Sequence, residues 1–172
     1  SSSTRGSLRR YSGARPPSRA QAIAHGVAPN DDFGQGLAHA LREQQPAMYK
    51  DFRHYCQTQH PKAGGLWTWA GAQGPRVVAL FTQEGAYDHG AKPGKATASN
   101  VGHALKALAA ECTREGWTSL ALPRLATGVG GMDWSEVKPL VEQHLGALAI
   151  PVLVYETFHA GESADENLAA TA

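Results

Sequence analysis

Thr127, Gly128, Gly130 and Gly131 fall within five residues, four residues past the apolar run 119–122 (SLAL). Glycines at that density let successive backbone N–H groups turn inward at φ values other residues avoid, making a concave nest of donors for an anion. Past the glycines, Val137, Leu140, Val141 and Leu145 recur at helical spacing, and Asp133 with Glu136 has the pattern of an N-terminal capping pair, so the positive end of a helix faces the nest. A second loop of the same kind lies upstream. His25 closes a short strand, and Pro29, Asn30, Asp31, Asp32, Gly34 and Gly36 then lead into a helical run carrying Leu37, Ala40 and Leu41. In an open α/β sheet two such loops sit together at the carboxyl ends of the strands, where a diphosphate fits between them. GVGG is neither GxGxxG nor a Lys-bearing phosphate loop, and a tight strand-to-helix turn without a ligand accounts for the same glycines.

Positioning such loops takes a regular alternation of strands and helices, and the chain supplies one. Residues 21–26 (QAIAHG) read as a brief strand anchored by Ile23. Pro46 restarts the chain at a first helical position, with Met48, Phe52, Tyr55 and Cys56 as the buried stripe of a second helix. Segments 66–70 (LWTWA) and 76–82 (RVVALFT) read as a hairpin in the sheet, followed by the polar loop 83–94 as one wall of a cleft. Val101, Ala104, Leu105, Leu108, Ala109 and Cys112 make 97–115 an amphipathic helix. Pro123 should stop the central strand, and Pro139 predicts an irregular or 3₁₀ first turn in the helix after it. Residues 150–155 (IPVLVY) supply a last buried strand. The fold class that follows is α/β: a three-layer α/β/α sandwich around a mixed, mainly parallel central sheet.

At 172 residues the chain suits one domain. Its 16 basic and 15 acidic side chains are interspersed, so a broad footprint for duplex nucleic acid is excluded. Residues 1–19, rich in Ser, Arg, Gly and Pro, are expected to form a flexible basic arm, and 159–172 a flexible tail. Cys56 and Cys112 suit neither a zinc site nor a redox pair and read as core residues in a reducing compartment. No apolar run is long enough to span a bilayer and the N-terminus lacks a signal-peptide centre, which gives the expectation of a cytoplasmic protein with no membrane partner. His54 and His60 have no ligand-like partners, so no metal is expected.

The paired loops resemble those of the macrodomains, α/β/α modules that bind ADP-ribose. The matches are His25 followed by FGQGLA (33–38), then LPRLATGVGGMDW (122–134), then PVLVYE in the closing strand; together they cover 20–158. The likeness is to the branch containing ADP-ribose-1''-phosphate phosphatases and glycohydrolases that remove terminal ADP-ribose from protein or DNA. The resemblance implies that Thr127, Gly128, Val129, Gly130, Gly131 and Met132 wrap the diphosphate. It also implies that Asn30, Phe33, Gly34, Gln35, Gly36 and Leu37 embrace the distal ribose, with Ile23 and Gln83 completing the ligand-binding set. For catalysis it points to His25, as acid, base or nucleophile, to Asp32, orienting a water or a ribose hydroxyl, and to Lys92. A strand-end histidine bonded to backbone, an aspartate capping its own turn and a Trp134 that only packs are the structural alternatives.

Three departures from the pattern bear on the chemistry. Gly13-Ala14 stands where relatives carry the Gly-Asp that anchors adenine; Gln83 stands where the glycohydrolases keep a lysine nucleophile; Gly130 stands where some relatives place an acid. A carboxamide cannot form the Schiff base, so Lys92 or Lys95 would serve only if the 83–94 loop folds back. The implied function is hydrolysis of an ADP-ribose derivative at the distal ribose, or else non-catalytic reading of ADP-ribosylated protein or nucleic acid by a monomer. ADP-ribose is ligand or product, and no cofactor is required.

Overall fold

The computed structural model describes residues 8–13, 21–33, 36–72, 74–85, 94–127 and 130–158. In chain order the elements are β1 (Leu8–Gly13), β2 (Ala22–Val27), α1 (Gly36–Gln44), α2 (Pro46–Gln59), β3 (Leu66–Trp69), β4 (Arg76–Phe81), α3 (Ala98–Glu115), β5 (Leu120–Pro123), α4 (Trp134–Leu145) and β6 (Val152–Phe158). The strands form one sheet in the order β1-β6-β5-β2-β4-β3. Every pairing is parallel except β3 with β4, the expected hairpin, in which Leu66 faces Leu80 and Trp69 faces Val77.

Alternation along the strands sorts the core onto two faces. On one face Ala22, Ala24, Val78, Leu80, Leu120, Leu122, Val152 and Val154 pack under α3 and α4 through Val101, Leu105, Leu108, Val137, Val141 and Leu145. On the other, Ile23, Val27, Val77, Ala79, Phe81, Ala121 and Leu153 pack under α1 and α2 through Leu37, Leu41, Met48, Phe52 and Cys56. This is the expected three-layer sandwich. Thr97 caps α3, its Oγ1 accepting from the Asn100 N–H at 3.1 Å, and Gly116 ends it at φ 67°.

Two expectations are corrected. The arm predicted over 1–19 contains a strand: β1 pairs with β6 from Leu8 opposite Val152 to Gly13 opposite Phe158, with a register step between Tyr11 and Ser12. The backbone ladder offered by the open edge of β6 orders this segment, a source of stability that its own hydropathy does not announce. Residues 1–7, 14–20 and 159–172 lie outside the described residues. Second, α4 is α-helical through Pro139. The ring removes one ladder bond, but Glu136 holds the first turn by accepting from the Asp133 N–H at 3.5 Å, and Val137, Val141 and Leu145 bury the far side.

Phe52 is the hub of the α2 face. It is fully buried, with its ring 4.7 Å from Phe33, 5.6 Å from Trp67 and 6.1 Å from Phe81. Phe52→Ala should therefore lower stability by about 3–5 kcal/mol, measured by urea denaturation. A loss below about 1 kcal/mol would show that the cluster does not depend on it.

Candidate functional site

β2 and β5 pair for only two residues, Ala22 with Leu120 and Ile23 with Ala121. Past that point each continues beside its other neighbour, β2 along β4 to Val27 opposite Phe81 and β5 along β6 to Pro123 opposite Tyr155. Pro123 has no N–H to offer across the gap. A crevice thus opens at the carboxyl ends of two adjacent parallel strands whose helices lie on opposite faces, the topological switch point where open α/β sheets take ligands. Three loops border it with their described residues: first 28–33, from β2 to α1; second 124–127 and 130–133, from β5 to α4; third 82–85 and 94–97, from β4 to α3.

The first loop is anchored from inside. Phe33 adopts φ 53°, a costly conformation for an aromatic residue, and its ring is fully buried against His25 (5.1 Å), Tyr49 (5.3 Å) and Phe52. Its N–H donates to Asp31 Oδ1 at 2.7 Å. Burial, and secondarily the charge of Asp32, push the Asp31 carboxyl up, while the Phe33 N–H opposes them. Asp32 exposes its side chain, and its carbonyl accepts from Arg42 Nη1 at 2.8 Å; Arg42 in turn lies 4.1 Å over the Tyr49 ring. The aspartate that caps the turn is therefore Asp31, which the sequence reading passed over for Asp32. Asn30 is half-buried at the loop's start, Gly36 begins α1, and Gly34 and Gln35 lie outside the described residues. Ile23 and Leu37 are core residues.

The second loop is closed by its own backbone. The Met132 N–H donates to the Ala126 carbonyl at 2.9 Å, the Ala96 N–H to the Gly130 carbonyl at 3.1 Å, and Thr127 Oγ1 to the Arg124 carbonyl at 2.6 Å. Ala126 sits at φ 68° and Gly131 at φ 79°. Gly130 is not among the positive-φ residues, so it is required for space: a Cβ there would stand 2.7 Å from the Ala126 oxygen and 3.0 Å from the Ala96 Cβ. Gly128 and Val129 lie outside the described residues. Met132 is buried in the α3–α4 core. Trp134 is half-buried, with the Arg124 guanidinium 5.5 Å over its ring, which favours packing as its role.

The third loop begins with two buried polar residues. Thr82 Oγ1 finds no hydrogen-bond partner among the described residues, and Gln83 Nε2 donates to the Gly94 carbonyl at 2.8 Å. Lys92 lies outside the described residues; Lys95 is exposed, beside Gly131.

His25, on β2 where β5 has parted from it, is 3 % exposed, and its Nε2 has no partner among the described residues. Burial pushes its pKa down from 6.5 to about 4. The imidazole is neutral at physiological pH, in place of the near-neutral titration expected from sequence. Thr82, which sequence reasoning missed as a site residue, carries a signal as the polar end of an apolar strand, and Asp31, read there only as a turn former, lies two residues before Phe33. Nothing in the sequence marks the positive φ of Ala126.

The sequence matches the family described as Macro domain over residues 21–141. It is 27% identical over 150 residues to the DNA ADP-ribosyl transferase-DNA ADP-ribosyl glycohydrolase fusion protein of Thermosipho africanus (strain H17ap60334), covering 80% of this chain and 39% of that one. The chain thus spans about two fifths of that relative's length. Among solved structures, the macrodomain of Mycobacterium tuberculosis DarG superimposes with a TM-score of 0.72 at 19% identity, covering 88% of this chain and 99% of that chain. Thermosipho africanus DarTG in complex with ADP-ribose gives a TM-score of 0.69 at 25% identity, covering 80% of this chain and 38% of that chain.

Two outcomes follow from the geometry. Because folding lowers the pKa of His25, the unfolded chain takes up its proton first; the contribution to stability is whole above pH 6.5 and is lost as pH falls toward about 4. Urea denaturation between pH 7 and pH 4 should show roughly 3 kcal/mol of loss that His25→Phe removes; an unchanged slope in the variant would refute the assignment. Gly130→Val should cost about 1–3 kcal/mol by overpacking and displace the Ala126 carbonyl. Amide exchange at Met132 should then accelerate, and undiminished protection there would show that the loop tolerates the side chain.

Proposed function

The chain belongs to the macrodomain family, and we propose that it binds ADP-ribose across the β2–β5 crevice and hydrolyses an ADP-ribose derivative at its distal ribose. The observation that carries the proposal is the crevice itself, flanked by two loops that each hold a residue other than glycine at positive φ, Phe33 and Ala126. Backbone held in such conformations, at a cost of about 1–3 kcal/mol each, clusters at ligand clamps. The names of the relatives support the ligand and the reaction: one is a DNA ADP-ribosyl transferase-DNA ADP-ribosyl glycohydrolase fusion protein, and a similar solved structure, Thermosipho africanus DarTG, is in complex with ADP-ribose.

In this reading the amides of 127–132 and the N-terminus of α4 receive the diphosphate, donating to its oxygens without a side chain to be ordered. Residues 30–37 take the distal ribose. Water adds at the anomeric carbon as the bond to the departing oxygen breaks, releasing ADP-ribose from a 1''-phosphate ester or from a terminal link on protein or DNA. Asp32, exposed at the turn, orients that water. His25, neutral and with no partner at Nε2 among the described residues, serves as a fixed hydrogen-bonding group at the floor of the crevice and is no general acid at neutral pH. Lys92 is the remaining candidate for an amine. We place the protein as a monomer in the cytoplasm, a setting in keeping with the two buried, unpaired thiols Cys56 and Cys112. Among the described residues no helix is long and apolar enough to cross a membrane.

One observation favours a second reading, a non-catalytic reader of ADP-ribosylated partners. Gln83 replaces the nucleophilic amine, and its carboxamide is already committed to the Gly94 carbonyl.

ADP-ribose near a hundredfold excess over a micromolar Kd should stabilise the fold by about 2.7 kcal/mol, or roughly 5–10 °C in Tm; ATP should do much less. Turnover is then assayed on ADP-ribose-1''-phosphate, ADP-ribosylated DNA and ADP-ribosylated protein. Release of ADP-ribose or phosphate is the expected result. Binding without release on all three would establish the reader, and no shift with ADP-ribose would remove both.

A further inference from the structure

The residue that replaces the amine also holds a strap across the diphosphate loop. Gln83 Nε2 donates to the Gly94 carbonyl at 2.8 Å, and the Gly94 N–H donates to the Glu84 carbonyl at 3.2 Å. Two residues on, the Ala96 N–H donates to the Gly130 carbonyl at 3.1 Å, and Thr97 then caps α3. Residue 95 is thus fixed on both sides, by β4 at one end and by the central loop at the other. Its side chain lies across that loop: Lys95 Cδ stands 3.8 Å from the point a Cβ on Gly131 would occupy, so a lysine stem covers the space left by the absent side chain. Gly131 itself is at φ 79°. Lys95 is exposed, and its ammonium has no hydrogen-bond or ion-pair partner among the described residues.

We infer that Lys95 is the cation for the ligand's diphosphate and that Gln83 is the residue that positions it. The inference rests on the ADP-ribose reading of the crevice. Backbone amides and helix ends give a diphosphate directed donors but only partial charge, whereas its two negative charges favour a full counter-charge beside the loop. Lysine is suited to this as a compact point charge on a long stem, with the stem packed on glycine and the head in solvent. The position that carries an amine in glycohydrolase relatives has become a structural bond, and the amine stands twelve residues later over the phosphates, where it binds and does not attack.

Calorimetric titration of ADP-ribose at low and high salt tests this. Lys95→Gln should raise Kd about tenfold at low salt and flatten its salt dependence, since an exposed ion pair is screened. Lys95→Arg should stay within about threefold of the wild type. Gln83→Ala should weaken binding in the wild-type background and add nothing to Lys95→Gln, a coupling that loss of a merely structural bond does not produce. Wild-type affinity in Lys95→Gln, or equal effects of Gln83→Ala in both backgrounds, would overturn the inference. Failure of the wild type to bind ADP-ribose would instead refute the functional reading. Inorganic pyrophosphate then probes the loop alone: stabilisation of the wild type but not of Lys95→Gln upholds the role of Lys95, and equal or absent stabilisation ends it.

Discussion

The parting of β2 from β5 is the constraint on which the site depends. Parallel strands that bond at Ala22–Leu120 and Ile23–Ala121 would ordinarily continue the ladder, and continuation here would close the crevice. Two features keep them apart. Pro123 lacks the donor that the next rung needs, and the chain leaves β5 in a loop that satisfies its own backbone through the Met132–Ala126 and Leu125–Pro123 bonds. β2 meanwhile continues along β4, with the Thr82 N–H donating to the Val27 carbonyl at 3.2 Å just beyond the ladder.

The strain in the loops is offset in different currencies. Phe33 at φ 53° costs on the order of 1–2 kcal/mol. Burial of its ring among His25, Tyr49 and Phe52 returns about 1.5–3 kcal/mol, and the Asp31 bond adds about 1. The first loop is thus held by side chains reaching inward, leaving its outer backbone for a ligand. The second loop has no such anchor at its strained residue, Ala126, and is held by hydrogen bonds and by close packing of Gly130 on the Ala126 carbonyl. A substitution in the α2 aromatic cluster should therefore reach the first loop through Phe33, whereas the second answers to changes in its own backbone, in the segment carrying Ala96 and in the α3–α4 core that holds Leu125 and Met132.

The layers, the hairpin and the amphipathic helices were legible in the sequence because they rest on periodicity: Val101, Leu105, Leu108 and Cys112 announce the buried side of α3 without tertiary information. The two loops were legible as turns because glycine clusters after an apolar run mark where the chain leaves a strand for a helix. The distribution of work among the glycines was not. Gly130 and Gly131 look alike in sequence, yet one is needed for space against Ala126 and Ala96 and the other for its φ, a distinction set by contacts with residues up to 34 positions away. Strand β1 escaped for a related reason. What orders it is the open edge of β6, 144 residues later in the register of Leu8 with Val152. The depressed pKa of His25 follows from burial that no local pattern records.

The resemblance puts Gln83 where glycohydrolases keep a lysine, an exchange that would change the electrostatics of the site and keep its architecture. An amine in a buried position, 5 % exposed as Gln83 is, would have to be neutralised or paired, since an unpaired buried charge is costly. A carboxamide removes that requirement and needs only hydrogen bonds, which the Gly94 carbonyl helps to supply. The bond also does something an amine's flexible stem would do less well: a planar donor fixes the carbonyl it meets and therefore the direction in which the chain leaves Gly94. The charge given up in the interior is present at the rim, on Lys95, where solvation makes it inexpensive to keep. Exchanging a buried, reactive nitrogen for an exposed, electrostatic one favours binding over covalent attack.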